Sequence, residues 1–94
     1  MLSEVSNFIK DSLLEVKNEI ELIDITEQSA DKVEIVLSRD NFMASIVIYS
    51  NNIYDFLAVE INSEKIMLNT TNSCENSEDL KSKIKYEIYK FSEL

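Results

Sequence analysis

Phe42-Met43-Ala44-Ser45-Ile46-Val47-Ile48-Tyr49-Ser50, then Asn51-Asn52, then Ile53-Tyr54-Asp55-Phe56-Leu57-Ala58-Val59-Glu60-Ile61-Asn62 is the stretch whose reading decides the fold. β-Branched and aromatic residues crowd both arms, and such residues favour pleated backbone. Two asparagines separate the arms, and Asn tolerates positive φ better than most residues with a Cβ. The pattern is therefore two strands, 42–50 and 53–62, folded into a hairpin.

Working outward, residues 21–27 alternate as Glu-Leu-Ile-Asp-Ile-Thr-Glu and predict a strand. Residues 32–39 predict another, with Val33, Ile35 and Leu37 on one face, and residues 65–70 a fifth. The connectors Gln28–Asp31, Asp40-Asn41, Asn51-Asn52 and Ser63-Glu64 are short, so the five strands form an antiparallel meander. Before them, Leu2, Val5, Phe8, Ile9, Ser12, Leu13, Val16 and Ile20 recur at spacings of three and four. That is one apolar stripe on a helix over 3–19, with Ser3 as its N-cap. After them comes a polar loop, residues 71–77. Leu80, Ile84, Ile88 and Phe91 then mark a second amphipathic helix over 78–92, capped by Ser77. Glu78 and Asp79 at its start and lysines toward its end complement the helix dipole. The fold class is α+β: a single domain over 1–94, in the order α-β-β-β-β-β-α, with both helices on one face of a five-stranded sheet.

Ala44, Ile46, Ile48, Phe56 and Ala58 suit the helix-covered face, where small Ala side chains let a helix approach. Period-2 alternation then assigns Glu34, Val36, Ser45, Val47, Tyr49, Asp55, Leu57 and Val59 to the other face. The fifth strand adds either Lys65, Met67 and Asn69 or Ile66, Leu68 and Thr70, depending on register. This face is more apolar than a solvated face usually is. Apolar area rimmed by acids has the composition of a protein interface. A loop, a helix or a second copy covering it is the plainer explanation.

The composition excludes much chemistry. The 94 residues include no Gly, no Pro and no His. Without Gly there is no phosphate-cradling loop of the Rossmann or Walker kind and no nucleophile elbow. Without His there is no imidazole base and no His-containing zinc site. Cys74 alone builds neither a disulfide nor a thiolate metal cage. It lies in the polar loop beside Glu75 and Glu78, acids that raise a thiol pKa, so it reads as an incidental thiol. Carboxylates are frequent, but none is spaced as a calcium loop or a catalytic pair. No cofactor, no metal and no catalytic residue is expected. Tyr54 and Phe91 read as core, and Tyr86 and Tyr89 as partial cover for the core edge. Tyr49, beside the Asn51-Asn52 turn, suits an interface hot spot, because Tyr offers large area at small entropic cost.

Eighteen acids against nine bases give a net charge of −9. Residues 1–80 hold a balance of −11 and residues 81–94 a balance of +2. Such a field repels nucleic acid and anionic membrane and attracts a basic protein; it also serves solubility alone. No apolar run is long enough to span a membrane, and the N-terminus lacks a secretory pattern. The expectation is a cytoplasmic protein with a reduced thiol. Residues encoded by AT-rich codons dominate, as in genes of low-GC bacteria.

The segment Ala44-Ser45-Ile46-Val47-Ile48-Tyr49, a turn, then Tyr54-Asp55-Phe56-Leu57-Ala58-Val59-Glu60 resembles the small bacterial immunity proteins of the TriTu family. Asn62-Ser63-Glu64-Lys65-Ile66 and the closing helix with Leu80, Ile84, Ile88 and Phe91 occupy the family's later positions. Asn51-Asn52 stands where the family has Gly in a turn. The layout matches over about residues 2–94, and the motifs over 44–66. The resemblance implies a non-enzymatic antidote of contact-dependent growth inhibition, or of a related polymorphic toxin system. It would bind the basic C-terminal toxin domain of a sibling cell's effector, commonly a nuclease and often one acting on tRNA. Some such toxins work with elongation factor Tu, which would join a larger complex. The residues assigned to toxin contact are Glu34, Ser45, Val47, Tyr49, Asp55, Leu57 and Met67, on a chain that is otherwise monomeric. An acidic secretion chaperone holding an effector segment is the second reading. A small-molecule enzyme is the third, for which the sequence offers no paired polar site.

Overall fold

The computed structural model describes residues 2–94, with the backbone alone at Leu2. Helix α1 (Leu2–Leu14) leads into strands β1 (Glu21–Ser29), β2 (Lys32–Arg39), β3 (Phe42–Tyr49), β4 (Ile53–Glu60) and β5 (Ile66–Ser73), and helix α2 (Ser77–Ser92) closes the chain. The strands form one antiparallel sheet in the order β1-β2-β3-β4-β5, the expected meander.

One sheet face and both helices share a single core. Val33, Ile35, Leu37, Ala44, Ile46, Ile48, Tyr54, Phe56 and Ala58 are buried there with Ile9, Leu80, Ile84, Ile88 and Phe91. All five residues assigned to the covered face are in it. Phe56 and Phe91 meet edge-on, with ring centroids 6.5 Å apart at 65°. That geometry places a positive ring edge against a negative ring face. Tyr54 is buried as well, and its hydroxyl accepts from Asn72 Nδ2 at 2.8 Å.

Where element ends differ from expectation, tertiary hydrogen bonds account for them. The first helix stops at Leu14 rather than running through 3–19. Glu15 N bonds back to Ser12 O at 3.2 Å, and Asn18 Nδ2 donates to Ser92 O at 2.7 Å. Residues 15–18 thus tie α1 to the end of α2 instead of extending the helix. Because α1 begins at Leu2, Ser3 lies inside its first turn and is not the N-cap. The fifth strand runs to Ser73, so Thr71, Asn72 and Ser73 belong to the sheet and not to the polar loop. The second helix begins at Ser77, and its N-cap is Asn76, whose side chain accepts from Asp79 N at 2.9 Å. The Asp79 carboxylate in turn accepts from Glu75 N, and that bond, with Lys83 nearby, holds it below the usual carboxylate range. Strand β1 is longer than 21–27; β3 and β4 fall short of Ser50 and Asn62. At the end of β4, Glu60 turns the chain: its N–H donates to Lys65 O, its carbonyl accepts from Glu64 N, and its carboxylate accepts from Ser63 Oγ. Tyr86 and Tyr89 do not cover the core edge. They are 61% and 52% exposed, stacked on one another, with Lys90 Nζ 4.9 Å from the Tyr86 ring centre.

The reversals are made without Gly. Asp40 (φ 51°) and Asn52 (φ 63°) take the left-handed conformation, as short polar side chains permit. Glu64 (φ 60°) does so too, and its longer side chain lacks that local compensation. Glu64→Gly is expected to raise stability by about 1 kcal/mol, the usual cost of a Cβ in this region. At Asn52 the same change should be close to neutral. Urea midpoints of the two variants check the difference.

A second strained point lies beneath α2. Glu87 is 3% exposed; Lys90 Nζ meets its Oε1 at 2.5 Å, while Oε2 has no hydrogen-bond partner. A buried carboxylate with one bare oxygen is costly, and an apolar residue of similar volume avoids that cost. Glu87→Met should therefore be neutral or stabilising by up to about 2 kcal/mol, whereas Lys90→Met should destabilise by about 2 kcal/mol. A thermal midpoint unchanged or raised in Glu87→Met and lowered in Lys90→Met is the expected result.

Among the described residues, no helix is long and apolar enough to cross a membrane.

Candidate protein-binding face

Both helices pack on one side of the sheet, and no element of the described residues lies over the other. Register assembles that second face from cross-strand rows. One row reads Thr26, Glu34, Val47, Asp55 and Thr71 from β1 to β5. The next reads Asp24, Val36, Ser45, Leu57 and Asn69. Below them Met43 pairs with Val59, and Val59 with Ile66. The floor is apolar and open: Leu57 is 40% exposed and Ile66 58%, while Val36, Val47, Val59 and Met43 are half-buried.

Two carboxylates stand on this floor. Asp55 accepts from Tyr49 OH at 3.0 Å through Oδ2, and from Thr71 Oγ1 at 2.6 Å through Oδ1. Glu34 accepts from Ser45 Oγ at 3.2 Å and from Gln28 Nε2 at 3.1 Å. All four donors are neutral. Among the described residues neither carboxylate has a Lys or Arg partner, while hydrogen bonds fix the orientation of both. They lie in one row with Val47 between them, two strand spacings apart, or about 10 Å at the backbone. Fixed anions on an apolar floor favour cations that arrive on another protein, because orienting the carboxylates then costs little entropy.

Tyr49 closes one end of the face. Lys32 is paired with it across the strands, and the Lys32 ammonium stands 5.7 Å from the ring centre, within cation–π range. The hydrogen bond to Asp55 raises the Tyr49 phenol above its ordinary value; partial burial and the Asp55 charge push the same way.

Of the residues assigned to the face, Glu34, Ser45, Val47, Asp55 and Leu57 come together on β2, β3 and β4, with Tyr49 at the end. Met67 stands beside them on β5, half-buried and outside the core cluster. A β-bulge leaves it without a register partner between Leu68, opposite Ala58, and Ile66, opposite Val59. In a bulge two residues of one strand oppose one of its neighbour, so Ile66 joins this face opposite Val59 next to Met67. The same register puts Asn69 and Thr71 on this face and Leu68 and Thr70 on the covered one. Sequence reasoning missed Thr71 and Gln28, one of the two donors to each carboxylate, and placed the other two, Tyr49 and Ser45, on the face. Thr71 was legible in one respect, since Thr70-Thr71 is a pair of strand-forming residues inside the stretch read as loop.

Other features carry less chemistry. A cleft of about 280 Å³ opens between the helices and the strand turns, with Val5, Phe8, Ile48 and Leu80 inside and Glu4 and Lys81 among its lining. It is smaller than most ligand pockets. Cys74 is buried rather than in an open loop; burial pushes its thiol up, and Asp79, not Glu75 or Glu78, adds to this while Lys83 opposes it. Among the described residues no group of three or more Cys, Asp or Glu side chains is placed to hold a metal ion. No protein-family model, no curated protein and no solved structure matches the chain.

The Tyr49–Asp55 bond has a titration signature. Because the folded value is raised, its contribution is fully present below the ordinary phenol pKa and is lost as pH rises through Tyr49's own higher value. Following ring ionisation by NMR, Asp55→Asn is expected to bring the Tyr49 titration back toward the ordinary phenol range. An unaltered titration would mean that the bond does not form in solution.

Proposed function

We propose that the chain is a non-enzymatic immunity protein, which binds and neutralises the C-terminal toxin domain of a cognate contact-dependent growth inhibition effector in the bacterial cytoplasm. The observation that carries the reading is the pair of fixed, uncompensated carboxylates, Glu34 and Asp55, on an uncovered apolar sheet face. The sequence resemblance to TriTu immunity proteins over residues 44–66 supports it, and so does the net charge of −9. A nuclease toxin is basic where it holds phosphates. An acidic protein seated there excludes the nucleic acid, and charge steering speeds its association. Val47, Leu57 and Ile66 would supply the dehydrated area, and Glu34 and Asp55 would meet lysine or arginine of the toxin. Elongation factor Tu would enter only as a further member of the complex.

The test begins with the gene immediately upstream. A large surface protein ending in a variable domain is expected there, and that domain should bind the chain and lose its toxicity. Asp55→Lys should weaken binding by 100-fold or more and Tyr49→Ala by about 30-fold, as hot-spot losses of 2 kcal/mol or more imply. Both should leave the thermal midpoint nearly unchanged. Unaltered affinity in both variants would remove this face as the site, and an isolated metabolic operon would remove the function.

A further inference from the structure

The two edges of the sheet are built differently. An edge strand offers unpaired amides and carbonyls to any extended chain, and proteins guard such edges with charges and bulges. Strand β1 is guarded on both counts. It carries Glu21, Asp24 and Glu27, and its pairing with β2 is broken at Leu22/Asp24 and again at Glu27/Ser29. Strand β5 reads Ile-Met-Leu-Asn-Thr-Thr-Asn-Ser, with no charged residue. Its one bulge lies at the Met67 end, and from Leu68 to Ser73 the register with β4 is unbroken. Among the described residues strand β4 is its only neighbour in the sheet.

The open groups on this edge can be identified. Cys74 N donates to Asn52 O at 2.8 Å, across the step that follows the Ile53/Ser73 pair. Hydrogen-bonded pairs alternate along an antiparallel ladder, so Asn72, Thr70 and Leu68 turn their amides toward β4. Asn69, Thr71 and Ser73 turn theirs outward. Their side chains belong to the open sheet face, and Thr71 is the residue that holds Asp55. The uncharged edge and the acidic face are therefore one continuous surface.

We infer that β5 is a strand-addition site, and that its occupant is an extended, lysine- or arginine-bearing segment of the toxin domain. This rests on the reading of the open face as the toxin-binding face. Charge selects the occupant. A second copy would bring another net charge of −9 alongside the first, whereas a basic segment is drawn in. A strand added beside β5 lies two strand spacings from β4, about 10 Å, within reach of a lysine or arginine side chain directed at Asp55. Backbone pairing would supply affinity, and Asp55 would supply the preference for a cation at that position.

Hydrogen exchange on the complex with the upstream-encoded toxin domain tests this. In the free chain the amides of Asn69, Thr71 and Ser73 should exchange as open edge amides, and in the complex they should slow at least tenfold. Asn69→Pro removes one outward amide without touching a bond inside the sheet. It should weaken toxin binding at least tenfold with an unchanged thermal midpoint, and Ser73→Pro is the second variant should the first fail to fold. If the toxin binds and shields Val47 and Leu57 while the three β5 amides still exchange freely, strand addition is overturned and the immunity reading stands. If the toxin does not bind, both fall. Concentration-dependent dimerisation of the chain alone, with protection of the same three amides, would assign the edge to a second copy and overturn the basic segment.

Discussion

Burial of one face of β3 and β4 under α2 is the contact on which the rest of the structure depends. Phe56 and Ile46 are fully enclosed in one cluster with Ile84, Ile88 and Phe91, where Phe56 meets Phe91 edge-on, and Ala44 and Ala58 are buried in the same cluster. Enclosing a side chain such as Phe or Ile contributes about 2–3 kcal/mol, more than a single surface ion pair at about 1 kcal/mol or less. The consequence for function is topological. A chain of this length has two short helices to cover a five-stranded sheet, and once both lie on one side the other stays open. The residues available for binding are those that period-2 alternation places opposite the core.

The open face is unusual in how its charges are held. A surface carboxylate beside a lysine is partly neutralised and gains little from a second cation. Asp55 and Glu34 are instead oriented by hydroxyls and an amide, which fix geometry and bring no cation. The lysines are concentrated on α2, where Lys83 pairs with Asp79, Lys85 with Glu15 and Lys90 with Glu87. The paired helix lysines therefore lie on the side of the sheet away from Asp55 and Glu34.

The absence of Gly and Pro looks at first like a liability for a meander with four reversals. Asp40 and Asn52 resolve two of them at the cost expected for short polar side chains in the left-handed region. The turn after β4 places the third positive φ on Glu64, flanked by hydrogen bonds from Glu60 and Ser63 that hold the chain in place. Strain at that position is offset by local bonds rather than relieved by residue choice. That is why a reading of residue types, which pointed to asparagine in the turns, overlooked a glutamate.

The sequence by itself determined the element order and, for β2, β3 and β4, which side chains face the core. Both follow from local chemistry: residue type selects extended or helical backbone, and a period of two sorts the faces whatever the distant partners are. Glu34, Ser45, Val47, Tyr49, Asp55 and Leu57 were legible for that reason. Tertiary structure decided what depends on partners far away in the chain. The bulge at Met67 moved Ile66 onto the open face, and no local signal marks a bulge in a run of Ile-Met-Leu. Thr71 joined β5 because Asp55 accepts its hydroxyl and Leu68–Ser73 stay in register with β4. Leu14 ended α1 because Asn18 is engaged by Ser92. In each case a hydrogen bond or register spanning many residues outweighed a local preference of a few tenths of a kcal/mol.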